Sequence, residues 1–302
     1  MTLQTRFPPR LAEAGEAEAF HQELARWNRR RLAVGKPNGA WREELQQDLE
    51  MRLAEGAFVE GFRTEVAAEA ACVPSEPEAF VAWFEGLKGT APGENEPLFP
   101  WLAESAGMEA MRWFLEQEVA GEAGFDDLVA YTQVKMPARA KLELAANYWD
   151  EMGRGSEGGM HGPMLARLAD ALDLHPSIEN TVAPALALGN VLIAFATTRR
   201  YAYHAVGALG AVELTAPWRS DHVARGLKRL GVGKERQYYA LHATLDVKHS
   251  ETWNEDVLKP LVAADPDCAR YIAEGALMRL TCGARCFDAY RSELQRLGAP
   301  QL

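Results

Sequence analysis

The chain is expected to fold as an all-α protein. Apolar residues recur at three- and four-residue intervals along most of its length, and alternating strand patterns bounded by turn signals are scarce.

Taken in order, helices are predicted over 18–33 (Phe20, Leu24, Trp27), 41–55 (Leu45, Leu49, Leu53), 76–87 (Phe80, Phe84, Leu87) and 108–119 (Met111, Phe114, Leu115). They continue over 142–152, 164–172, 181–214, 222–230, 235–251 and 267–297, each with apolar residues at the same intervals. The clearest seam runs from Gly89 to Pro100, where the density of Gly and Pro cannot continue a helix. Residues 1–100 are therefore read as an N-terminal helical extension and 101–302 as the main bundle. No internal repeat or low-complexity tract interrupts either part.

A chain of 302 residues can bury a substantial core. Its formal charge of −11 argues against a nucleic-acid partner, because phosphate recognition needs Lys and Arg clustered on one face. The one dense basic cluster, Arg29-Arg30-Arg31, reads as a helix end. No apolar run is long enough to span a bilayer, so no membrane role is expected. The start of the chain, with Pro8-Pro9 and the acidic stretch from Glu13 to Glu18, lacks the pattern of a signal peptide, and the expected location is cytoplasmic. Cys72, Cys268, Cys282 and Cys286 do not form a paired metal spacing, and buried thiols are expected for Cys282 and Cys286.

His242, Asp246 and His249 carry the most chemical information. At 3.6 residues per turn, offsets of four and seven bring the three side chains to within roughly 60° of one helix face. Two imidazoles and a carboxylate then point the same way, a donor set suited to non-haem iron. Such a stripe can also be a solvated face. Here Tyr238, Tyr239, Leu241, Leu245 and Val247 make the segment too apolar for that, and buried His and Asp need partners.

Two other stretches offer such partners. In Asn147-Tyr-Trp-Asp-Glu151-Met-Gly-Arg-Gly-Ser-Glu-Gly-Gly-Met-His161, one helix ends at a Gly-rich junction and another begins near Pro163, with Glu151 and His161 on either side. Glu157, flanked by glycine, reads as a solvated loop position. In the second stretch Glu213 closes the run Gly207-Ala-Leu-Gly210-Ala-Val. Glycines there let a neighbouring helix approach closely, at roughly 1 kcal/mol each against Ala.

In order and spacing these pieces resemble the haem-oxygenase-like di-iron oxidases, the iron-containing redox enzymes, from about Trp101 to the C-terminus. The resemblance implies a haem-oxygenase-like helical bundle with six metal ligands: Glu151, His161, Glu213, His242, Asp246 and His249. It implies two Fe2+ as cofactor and O2 as co-substrate. Glu151, His161 and His249 are expected on one side of the cluster, with His242, Asp246 and Glu213 on the other. Some relatives carry an additional carboxylate from an upstream helix, for which Glu118 is the candidate and Glu122 the alternative. The implied activity is oxidation of a small organic substrate, by amine N-oxygenation or by oxidative C–C cleavage of an amino or carboxylic acid.

For the substrate, Arg199 and Arg200 upstream of Glu213 are candidates to clamp a carboxylate. Tyr203 and Tyr238 are further candidates, and Tyr148, Trp149, Tyr201 and Trp218 are expected in the pocket or core. Other readings stay open: a metal-free enzyme of the same architecture, similar to thiaminases or quinone-cofactor synthases, or a non-catalytic helical interaction protein. A small-molecule partner is expected, and a homodimer is an open option.

Overall fold

The computed structural model describes residues 14–301, and the regular secondary structure among them is helical throughout. Pro8, Pro9 and Glu13 lie outside the described residues. In order the helices are α1 (Ala14–Leu32), α2 (Trp41–Ala70), α3 (Pro77–Thr90), α4 (Leu98–Glu104), α5 (Met108–Gly121), α6 (Phe125–Thr132) and α7 (Ala138–Glu151). There follow α8 (His161–Ala171), α9 (Ala183–Thr197), α10 (Ala202–Arg229), α11 (Gln237–Thr252), α12 (Lys259–Ala264) and α13 (Cys268–Arg296). A π-helical segment, Trp253–Leu258, joins α11 to α12 without a break.

Helix α10 is the axis of the bundle, with α13, α11, α4 and α9 packed around it. Its first half, from Ala205 to Leu214, belongs to one apolar cluster with Phe84, Phe195, Trp253 and Ile272. Its last turns, through Val223 and Leu227, belong to a second cluster with Phe99, Phe114, Leu165 and Phe287. Glu213, Ala216, Arg219 and Ser220 lie between the two and face a cavity. The functional site therefore sits where the two cores meet.

Helices α2 and α3 share the first core, and α1 packs against α9. Val59, Phe62, Phe80 and Phe84 are buried in the same cluster as Val191 and Leu277. Polar contacts reinforce this packing: Asn28 Nδ2 donates to Asn190 Oδ1 at 2.9 Å, and Arg31 pairs with buried Glu55 at 2.7 Å.

The structure departs from the sequence expectation at three junctions. The predicted helix 181–214 breaks at Thr198, whose extended backbone (φ −111°, ψ 106°) separates α9 from a short turn at Arg199–Tyr201; the β-branched pair Thr197-Thr198 weakens helix there. Conversely, 222–230 is no separate helix. α10 runs through Pro217, which removes the N–H that would serve the Glu213 carbonyl, and tertiary packing on both sides holds it helical. The Gly89–Pro100 seam is a packed segment: α4 already begins at Leu98, and Glu94 and Glu96 reach across to Arg219 and Arg291. Packing elsewhere also extends α2 well past residue 55 and adds the short α4, α6 and α12.

Beside the first core, Glu274 on α13 joins three bases. It accepts from Arg63 Nε at 2.7 Å and Arg270 Nε at 3.1 Å, and lies 2.8 Å from His204 Nε2. Burial alone would raise its pKa, but the bonds from His204 and Arg63 outweigh burial and hold the carboxyl down at about 2. A depressed folded value means stabilisation that is complete above the ordinary 4.5 and is lost as pH falls through about 2. Glu274→Gln is thus expected to be less stable at neutral pH, with its gap to the unaltered protein narrowing between pH 4.5 and 2 in chemical denaturation. A gap that stays constant over that window contradicts the assignment.

Candidate metal centre

The Gly-rich junction after α7 is a tight return. Met152 and Met160 form an antiparallel bridge, and a Cβ on Gly153 (φ +59°) would lie 2.3 Å from the Gly159 carbonyl carbon. Only glycine permits this approach. It starts α8 directly over the end of α7, with His161 Nδ1 2.6 Å from Glu151 Oε2.

Glu213 projects from the middle of α10, and His242, Asp246 and His249 from α11. One donor atom from each of Glu151, His161 and His242 lies within 4.8 Å of the others, and the same holds for Glu151, Glu213 and His249. Asp246 Oδ1 stands 3.9 Å from His249 Nδ1, and Glu213 Oε2 3.5 Å from the same nitrogen. Five of the six positions thus fall into two groups that share Glu151, and Asp246 lies beside His249 of the second. This grouping differs from the expected division: His242 falls with Glu151 and His161, and His249 with Glu213. The reason is that seven residues carry His249 almost two turns further along α11, toward the end of α7.

Neighbouring groups orient two of the three imidazoles. His242 Nδ1 lies 2.7 Å from the Tyr238 carbonyl, which only accepts, so Nδ1 carries the proton and Nε2 keeps its lone pair. His249 Nε2 lies 3.2 Å from Asp150 Oδ2, which leaves Nδ1 facing the carboxylates. Asp150 is itself held by Arg154 Nε at 2.6 Å, and Asn147 Nδ2 donates to Glu213 Oε1 at 2.6 Å. Asn147 and Asp150 have no role in the sequence reading. Their signal is their position, four and one residues before Glu151.

The electrostatics demand positive charge. Glu151, Glu213 and Asp246 are 2–3% exposed, and among the described residues none pairs with Lys or Arg. Burial and then the charges of Glu213 and Glu151 push the Asp246 carboxyl well above its ordinary range, and burial raises Glu151 despite His161. Burial lowers His249, but Glu213 and Asp150 outweigh it and bring the imidazole up to about 9. His242, with burial and His161 both against its charged form, falls to about 4. His161 Nδ1 and His249 Nδ1 have only carboxylates against them, Glu151 Oε2 at 2.6 Å and Glu213 Oε2 at 3.5 Å, and Asp246 Oδ1 is buried without a hydrogen-bond partner. Imidazole nitrogens converging on buried carboxylates with no Lys or Arg among them fit a metal ion.

A family model described as an iron-containing redox enzyme matches residues 112–284, more than half the chain. The chain belongs to the iron-containing redox enzyme family. No curated protein gives a significant match. The family segment of this iron-containing redox enzyme family member begins within α5, after the N-terminal helices, has the haem-oxygenase-like all-α fold, and contains all six gathered positions.

The cluster opens on a cavity of about 180 Å³ lined by Glu151, Glu213, His242 and Asp246 on one part of its wall, with Phe114, Leu192 and Val223 among its apolar residues. Tyr238, Glu118 and Glu122 also line it. Glu118 accepts from the Tyr290 hydroxyl at 2.9 Å. Glu122 accepts from the backbone of Gly124 and Phe125.

Arg199 and Tyr203 are elsewhere. Arg199 precedes α10 rather than riding on it, and its guanidinium reaches the Tyr131 and Thr132 carbonyls. Arg200 pairs with Glu60, and Tyr203 lines a separate depression with Arg63 and Tyr271. The break at Thr198 turns this segment away from the cavity. Trp149 is 54% exposed, whereas Tyr201 is core and Trp218 packs on the second cluster. Glu157 is exposed, as expected, while Cys282 and Cys286 are buried free thiols. Among the described residues no helix is long and apolar enough to cross a membrane.

Proposed function

We propose that the six gathered side chains hold two ferrous ions and that the protein is an O2-dependent di-iron oxidase acting on a small organic molecule in the adjoining cavity. The observation that carries this reading is three buried carboxylates with no Lys or Arg beside them among the described residues, interleaved with histidine nitrogens whose nearest partners are those carboxylates. Imidazole and carboxylate are the donors iron takes in helical bundles. Glu151 is assigned to both ions, His161 and His242 to one, and Glu213 and His249 to the other, with Asp246 beside them.

When bound, ferrous iron supplies electrons to dioxygen for oxidation of the substrate. The protein's own contribution is positional. Asp150 and the Tyr238 carbonyl fix the two imidazole tautomers, Asn147 fixes Glu213, and such supporting contacts govern metal affinity. The apolar wall excludes water around the reacting group.

Anaerobic loading with Fe(II) is expected to give about two irons per chain, as other helical-bundle carboxylate sites take, and rapid mixing with air a transient visible absorption. Less than one iron per chain with no transient contradicts the proposal.

A further inference from the structure

Beyond the iron site, the same cavity contains a second feature that needs a ligand. Arg279 on α13 is 8% exposed, lines the cavity and makes no ion pair among the described residues. Its Nε and Nη1 are buried with no hydrogen-bond partner. An arginine so placed leaves a fork of donors unsatisfied, which is costly unless an anion completes it.

The neighbouring charges do not satisfy it. Arg219 on α10 also lines the cavity, and its Nη2 takes Glu94 at 3.2 Å while its Nε takes the Thr215 carbonyl. Glu118 is engaged by the Tyr290 hydroxyl, and burial disfavours its charged form. Two guanidiniums thus face one cavity with a single carboxylate in an ion pair between them.

We propose that Arg279, assisted by Arg219, binds the carboxylate of a small organic acid whose other end lies at the iron cluster. Arg219 is six residues beyond Glu213, about 9 Å of helix rise. A cavity of about 180 Å³ takes a molecule somewhat larger than benzene, roughly six to ten non-hydrogen atoms, which spans that distance. Between the two ends the wall is apolar and aromatic, with Phe114, Leu188, Val212 and Tyr239. The substrate class is therefore a compact carboxylic acid, anchored by its carboxylate away from the metal and oxidised at its far end. This rests on the iron reading only for the oxidation; the anion site stands on Arg279 itself.

The test is titration of phenylacetate and hexanoate, with phenylacetamide as the neutral counterpart, into iron-free and iron-loaded protein. Both acids are expected to bind in either state, and the amide at least about 10-fold more weakly. Arg279→Met is expected to weaken the acids by about 10- to 100-fold, and Arg279→Lys, which keeps the charge but loses the fork, by an intermediate factor. Circular dichroism establishes that each variant is folded, and Arg279→Lys serves if Arg279→Met is not. Equal binding of acid and amide, unchanged affinity in folded Arg279 variants, or no saturable binding of either acid overturns the proposal. Acid binding seen only with iron present also overturns it, while leaving the cluster intact. Failure of iron loading with Arg279-dependent acid binding retained sinks the iron reading alone.

Discussion

Glu151→Gln is expected to abolish iron retention almost completely, because this is the one side chain common to both donor groups. Iron should fall from about two per chain to well below one, and oxygen consumption by at least about 100-fold, more than loss of a supporting contact costs. His161→Ala is expected to behave differently. It removes a donor from one group only, so about one iron should remain under the same loading. The stability of the iron-free protein supplies an internal control. Burial raises the Glu151 carboxyl above its ordinary value, so its charged form opposes folding at neutral pH. The iron-free Gln variant should therefore be at least as stable as the unaltered protein, while losing the added stability that iron confers. Retention of both irons by Glu151→Gln would remove Glu151 from the site. A variant unable to fold without iron would show that the side chain is structural instead.

The second large effect is expected at Gly207, where α10 and α13 touch backbone to backbone. A Cβ there would lie 1.8 Å from the Ile272 carbonyl oxygen, and one on Gly275 would lie 2.0 Å from the His204 oxygen. Neither neighbour is a flexible side chain that can swing away. Gly207→Ala must push apart the two helices that carry Glu213 and Arg279, at about 3 kcal/mol or more. For a domain of this size that lowers the melting temperature by roughly 6–12 °C. Gly86→Ala on α3 is the matched control, since nothing lies within 4 Å of its Cβ. It should be neutral or stabilising by up to about 1 kcal/mol. Equal melting temperatures for the two variants would show that the α10–α13 contact is looser than described.

Which parts of this were legible beforehand follows from how local each signal is. The His242, Asp246 and His249 stripe needs one helix and its period, so sequence spacing suffices. The glycines at 207 and 210 announce close packing for the same reason: absence of a side chain is visible in any context. Glu151, His161 and Glu213 could be gathered only by the order of their motifs, because nothing local says that α7, α8 and α10 converge. Asp150 and Asn147 gave no separate signal, since a polar residue on a helix is ordinary until its partner is known.

Arg279 was hidden for a related reason. It sits among Leu277, Met278 and Leu280 in a helix that also carries exposed arginines, and its burial is a product of packing against α10. Arg199 was the more obvious candidate, and failed because Thr198 interrupts the helix that was to carry it. Pro217 misled in the opposite sense, since tertiary contacts outweigh its helix-breaking tendency. The Gly89–Pro100 segment reads as a seam, yet Gly93 packs against Ala284 and Phe287 and joins it to α13.

Diffraction from iron-loaded crystals, recorded on either side of the iron absorption edge, locates the metal without reference to activity. Two anomalous peaks flanking the Glu151 carboxylate, one beside His161 and His242 and the other beside Glu213 and His249, are the expected result. No peak among these residues, or iron bound only elsewhere, would contradict a metal centre at the junction of the two cores.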